Sequence, residues 1–122
     1  MSHSYRDLLV WQRAKQLAVE VYRATESFPR SETYGITSQI RRAAVSVPSN
    51  IAEGQGRLSR GEFAQFLGNA RGSLLELETQ LEIAGDLSYL SQATQVQLQQ
   101  HAYEVLGLLN RLLASLRAGS KP

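Results

Sequence analysis

Two histidines, His3 and His101, are the only imidazoles among 122 residues, and cysteine is absent. Metal and nucleophile chemistry must therefore work with very little. A di-iron centre inside a helical bundle takes glutamates from two helices and a Glu-x-x-His motif from each of two others. No Glu-x-x-His occurs here; His101 is instead followed by Glu104, the reverse order. A nucleophilic serine needs a base and an orienting acid within reach, and no serine in this chain has a neighbourhood that marks it as activated. Gly54-Gln55-Gly56 lacks both the lysine and the spacing of a phosphate loop and reads as a helix end. These residues predict no catalytic site, no metal and no cofactor, so the chain reads as a non-enzyme.

The remaining chemistry is that of arginine. Of 13 basic residues against 11 acidic ones, most are arginine, and the net charge is only +2. Distribution says more than the sum, because Arg13, Lys15, Arg23, Arg30, Arg41, Arg42, Arg57 and Arg60 all lie in the first half, which is basic, while the second half is mildly acidic. Guanidinium groups suit bidentate phosphate contacts, so these eight form the predicted nucleic-acid-binding set. No motif of stacking aromatics accompanies them, and Trp11, Tyr22 and Tyr103 read as packing residues. The alternatives are a compositional arginine bias and a merely solubilising charge. On the acidic side, Glu76, Glu78, Glu82 and Asp86 read as a solvated helix face. In a sharper reading, Glu78 and Glu82 meet Arg41 or Arg42, within the chain or across a subunit boundary.

Four periodic segments must position these groups. Val10, Ala14, Leu17, Val21, Ala24 and Phe28 follow at alternating steps of four and three, the mark of a helix with a bundle-type seam. Phe63, Leu67, Ala70, Leu74, Leu77, Leu81 and Ala84 repeat it, as do Leu98, Ala102, Val105, Leu109, Leu112 and Leu116. Ile36, Ile40, Ala43 and Val47 begin the same rhythm between them. Ser59 and Glu62 read as a capping box, Gly85 as a left-handed stop and Ser91 as a cap. With three short connections, the prediction is an all-α, antiparallel, up-down-up-down four-helix bundle. It fills a single domain over 1–122 with an ordered core of about 5–117.

Apolar residues exceed what one seam requires. Leu8, Trp11, Val19 and Tyr22 lie beside the first seam, and Val45, Phe66, Leu75, Ile83, Val96, Tyr103, Leu106, Leu108 and Leu113 flank the others. Some widen the core, and the surplus predicts a homo-oligomer. No apolar run approaches a membrane span, and no secretory signal opens the chain. A reducing cytoplasm is the expected compartment.

Pro48 interrupts the second segment. It has no amide proton for the Ala44 carbonyl, and its ring crowds that carbonyl. A restart would make Val47 a cap, and valine has no side-chain acceptor, so a kink is expected. Ser46, Ser49 and Asn50 could serve the freed carbonyl, while Ala43, Ala44, Ala52 and Gly54 admit a close neighbour helix.

The runs SQIRRAAVSVPSNIAEGQGR and EFAQFLGNARGSLLELETQL, with DLLVWQRAKQLAVEVY and FPRSETYG before them, resemble a known family over about Tyr5 to Leu116. It is the four-helix-bundle family encoded in intervening sequences of 23S ribosomal RNA genes, which is similar to the accessory protein of diversity-generating retroelements. The resemblance centres on Ser46, Pro48, Ser49, Asn50, Glu53 and Gly54. It implies a cytoplasmic, bacterial, barrel-shaped homopentamer. For the retroelement relative it implies binding to nucleic acid and to a reverse transcriptase. The ribosomal members have no established activity, and this chain is less basic than the retroelement protein. The function expected is that of a non-catalytic, self-assembling accessory factor that binds RNA or DNA. The alternative is a scaffold that docks a partner protein without nucleic acid.

Overall fold

A computed structural model describes residues 4–118; His3 and the C-terminal residues from 119 lie outside them. Four α-helices carry the described chain: α1 (Leu9–Thr25), α2 (Ile36–Gln55), α3 (Arg60–Asp86) and α4 (Gln92–Arg117). Short 3-10 turns at Tyr5–Asp7 and Arg30–Glu32 precede α1 and α2. Each helix packs on two others, α1 and α3 each touching α2 and α4, which closes a ring around one core. The longest, α3 with 27 residues, spans about 40 Å.

The core consists of the predicted seams with a slight drift. All seven seam residues of α3, from Phe63 to Ala84, are buried. In α1 the buried set passes from Val21 to Thr25 and leaves Ala24 half-buried; in α4 it passes from Leu109 to Leu113 and leaves Leu112 half-buried. A helix with 3.6 residues per turn drifts about 20° per heptad away from a 3.5-residue seam, so a step of four replaces one of three towards the end.

Two connections are as short as expected, and the first is not. Four residues separate α2 from α3 and five separate α3 from α4, but Glu26–Gly35 is a ten-residue passage. It is pinned at several points. Phe28 is buried and packs on Tyr89, with ring centroids 5.5 Å apart. The Tyr89 hydroxyl donates to Glu32 Oε2 at 3.0 Å, and Glu32 Oε1 accepts from the Ile36 amide at the start of α2. Donation to Glu32, with burial and the Glu32 charge adding to it, raises the Tyr89 phenol above its ordinary pKa.

Helix α2 runs unbroken from Ile36 to Gln55 with Pro48 inside it. The apolar stripe continues past the proline through Ile51 and Gly54, and Pro48 itself is buried. The polar neighbours act differently from the expectation. Ser46 Oγ donates to the Ala43 carbonyl and Asn50 Nδ2 to the Ser46 carbonyl, so neither reaches Ala44. Ser49 and Glu53 are exposed.

At Gly54, α2 and α3 come close. A Cβ there would stand 2.6 Å from Phe66 Cβ and 3.1 Å from Phe63 Cδ1. The turn that follows leads into the cap of α3, where Ser59 Oγ accepts from the Glu62 amide. The Glu62 carboxylate takes its hydrogen bond from the Ser59 hydroxyl, not from the Ser59 amide that a full capping box would use. Ser91 caps α4 through the Thr94 amide as expected.

The stop of α3 is displaced. Gly85 is still helical, and a Cβ on it would displace only the amide end of the Gln95 side chain at the start of α4. The left-handed residue is Ser88, with φ of 62°. The Tyr89 amide bonds the Ala84 carbonyl and the Ser88 amide the Gly85 carbonyl, which is a Schellman closure with serine in the place glycine favours.

Two substitutions test these contacts. Gly54→Ala is expected to lower unfolding free energy by about 1–2 kcal/mol, because overpacking outweighs alanine's better helix propensity. Urea denaturation checks it, and an unchanged or raised stability would contradict the close approach. Ser88→Gly is expected to raise stability by about 0.5–1 kcal/mol, since relief of left-handed strain exceeds the added chain entropy. A lower melting temperature would count against that geometry.

Candidate nucleic-acid interface

The ten-residue connection does more than join two helices, because it leaves an open cavity of about 410 Å³ between the end of α1 and the start of α2. Arg30, Arg41 and Arg42 line it, together with the hydroxyl residues Thr33, Thr37 and Ser38 and a single carboxylate residue, Glu26. Tyr22, Phe28 and Tyr34 supply aromatic surface, and Tyr34 is 96% exposed.

Arg41 is held before any ligand arrives. Its Nε donates to Thr25 Oγ1 at 2.8 Å and its Nη2 to the Tyr22 carbonyl, while the guanidinium lies 4.6 Å from the centroid of the Tyr22 ring. Thr25 can accept that bond because its own hydroxyl proton goes to the Val21 and Tyr22 carbonyls one turn earlier. All these partners are neutral, so the charge is anchored without being cancelled.

The other predicted residues are scattered. Lys15 and Arg23 border an apolar groove beside the cavity, formed by Ala18, Val19, Tyr22, Val45 and Pro48. The Lys15 ammonium sits 5.3 Å from the Trp11 centroid. Arg13 faces α4 and pairs with Glu104 at 3.4 Å. Arg57 lies at the opposite end of α2, paired with Glu53 at 3.0 Å and placed over the Phe66 ring. Arg60 opens α3 and is exposed. The eight therefore form no continuous patch: five lie along the α1–α2 edge, and Arg13, Arg57 and Arg60 lie elsewhere. Sequence reasoning missed the hydroxyl residues and Tyr34. The available signal was the run of Ser31, Thr33, Thr37 and Ser38 between Arg30 and Arg41.

Two comparisons bear on this arrangement. A family model described as 23S rRNA-intervening sequence protein matches residues 6–111. The chain belongs to that family. Its fold is similar to the crystal structure of a protein of unknown function from the S23 ribosomal protein family of Bacteroides thetaiotaomicron. The TM-score is 0.78 at 22% identity, over 86% of this chain and 98% of that one. Among curated proteins no sequence matches.

In this member of the 23S rRNA-intervening sequence protein family, the sharper reading that paired Glu78 or Glu82 with Arg41 or Arg42 is not met within the chain. Glu76 is the α3 acid that shares a groove with Arg42, and its carboxylate accepts from Gln80 at 3.3 Å. His101 Nδ1 meets Glu20 across α1 and α4, not Glu104. Among the described residues no group of three or more histidine, aspartate or glutamate side chains could hold a metal ion. No helix there is long and apolar enough to cross a membrane.

Glu78 is the strained acid of α3. One of its carboxylate oxygens is buried without a partner. Burial first, and the Glu82 charge second, raise its pKa above the ordinary carboxylate value. The folded state thus holds this proton more tightly than the unfolded chain. Stability is then lost as pH rises from the ordinary carboxylate range through the raised value. Glu78→Gln is expected to melt higher than the parent at pH 7, with the gain narrowing on acidification below that range. Paired thermal melts at pH 7 and pH 4 check it; a gain of equal size at both would show that ionisation of Glu78 is not the cause.

Proposed function

We propose that this chain is a non-catalytic, self-associating bundle that binds the phosphate backbone of RNA or DNA along the α1–α2 edge, as an accessory factor. The observation that supports this most is the gathering of Arg30, Arg41 and Arg42 around one cavity, with Lys15 and Arg23 beside it. None of these five has an acidic partner within ion-pair distance among the described residues. Unpaired guanidiniums keep their field for an outside anion, and each phosphate they neutralise releases counterions. Assembly into a homopentamer would present the edge five times and raise avidity without any new contact.

A second reading is favoured by the apolar groove that Val19, Tyr22, Val45 and Pro48 share. A partner protein, such as the reverse transcriptase implied by the retroelement resemblance, would dock there without nucleic acid.

Titration of the protein with RNA at stepped salt separates the two. Retention is expected to fall by more than about tenfold between 50 mM and 200 mM salt. Salt-independent binding of one protein, with no RNA retention at low salt, would support the scaffold reading and remove the first. Sedimentation equilibrium is expected to give five times the 13.5 kDa chain mass, and a monomer at high concentration would remove the pentamer.

A further inference from the structure

We propose that the cavity between α1 and α2 binds the phosphate monoester of a nucleotide, at the end of a strand or free, a proposal that rests on the nucleic-acid reading for its choice of ligand. Three arginines and one glutamate line the cavity, a balance of +2 if all are ionised, with a further carboxylate, that of Glu32, at the start of α2. A phosphate monoester carries about −1.5 to −2 at pH 7, whereas a backbone phosphodiester carries −1. Surface arginines alone would serve a diester. A recess walled by several donors suits a phosphate that can enter end-on and present three oxygens.

The recess offers more than arginine. It lies at the start of a 20-residue helix, and Thr37 and Ser38, the second and third residues of α2, form part of its wall. Their amides have no acceptor within the helix, and the helix dipole favours negative charge at this end. The first amide, that of Ile36, is already taken by Glu32, so the two that follow are those left to a ligand. A second observation is independent of the helix. Thr37 is only 8% exposed, and its hydroxyl has no hydrogen-bond partner. That oxygen is also closed to solvent, so a ligand oxygen would serve it only once the wall side chains shift, and leaving it unserved is costly. Tyr34, almost fully exposed at the rim, gives the attached base a ring to stack on. The volume of about 410 Å³ is within the range of small-ligand sites.

The experiment uses one single-stranded oligonucleotide in three forms, with a 5′-phosphate, with a 3′-phosphate and with hydroxyl ends, and adenosine monophosphate beside them. Binding of at least one phosphorylated form about tenfold tighter than the hydroxyl form is expected. Arg42→Gln, an exposed position outside the core, is expected to reduce that preference to about twofold or less. Arg60→Gln is expected to leave the preference intact. Thr37→Val, which deletes a hydroxyl unpaired in the free fold, is expected to lower the preference without lowering the melting temperature. Phosphorylated oligonucleotide binding more tightly than adenosine monophosphate assigns the strand end, and equal affinity assigns the free nucleotide. Equal retention of all three oligonucleotide forms overturns this proposal and leaves backbone binding standing. Binding of neither the oligonucleotides nor adenosine monophosphate, even at low salt, overturns both.

Discussion

At Gly54 the α2 backbone lies so close to α3 that no side chain fits between them. With a methyl group excluded at 2.6 Å from Phe66 Cβ, the two helices are in backbone-to-side-chain contact at one end, and a four-residue turn leaves little freedom in how they meet. That contact fixes the course of α2 through its buried stripe of Ile51, Pro48, Val47, Ala44, Ala43 and Ile40. From Gly54 back to Arg41 the helix runs about 20 Å. At the far end, α2 delivers Arg41 to Thr25 and Arg42 to the cavity rim.

Equal formal charges do different work in this fold. Arg57 and Arg13 each have a carboxylate within 3.4 Å. Seen from beyond a Debye length, such pairs carry little net field. Arg41 is held by a threonine hydroxyl, a carbonyl and a tyrosine ring, none of which carries opposite charge. A net charge of +2 over the whole chain therefore understates the potential at one place. Pairing thus quiets Arg13 and Arg57, while the arginines around the cavity between α1 and α2 keep their charge.

The helices were legible because each seam repeats many times, so a single misplaced residue cannot obscure it. Seven consecutive seam residues of α3 are buried as the spacing requires. Local backbone chemistry was read less well where two roles compete for one residue type. Gly85 looked like a left-handed stop because glycine favours that conformation, yet it stays helical, and Ser88 takes the strain. The proline neighbourhood shows the same limit, since short polar side chains can choose among several carbonyls and periodicity does not rank them. The cavity was the least legible part. It depends on a ten-residue connection pinned by Tyr89, a residue 57 positions from its partner Glu32, and no local pattern encodes that distance.

The apolar surplus is spread over the molecule: Leu75, Ile83, Val96 and Tyr103 are exposed on α3 and α4, and only part of it adjoins the basic site. Leu113 is buried, and Leu8, Trp11, Leu106 and Leu108 pack against the core, so they widen it. Val19, Tyr22 and Val45 remain at least 41% exposed and sit together in the groove along the α1–α2 edge. Tyr22 belongs to that groove and also to the cavity, where Arg41 lies over its ring. A subunit or partner seated in the groove would bury Tyr22 on one side while the guanidinium holds the other. Desolvation of that ring would strengthen the Arg41 contact and stiffen the cavity wall. Any ligand that requires Arg41 in this position would in turn favour the covered groove, because coupling between two binding events is reciprocal. One tyrosine is therefore shared by the apolar half of this edge and the charged half.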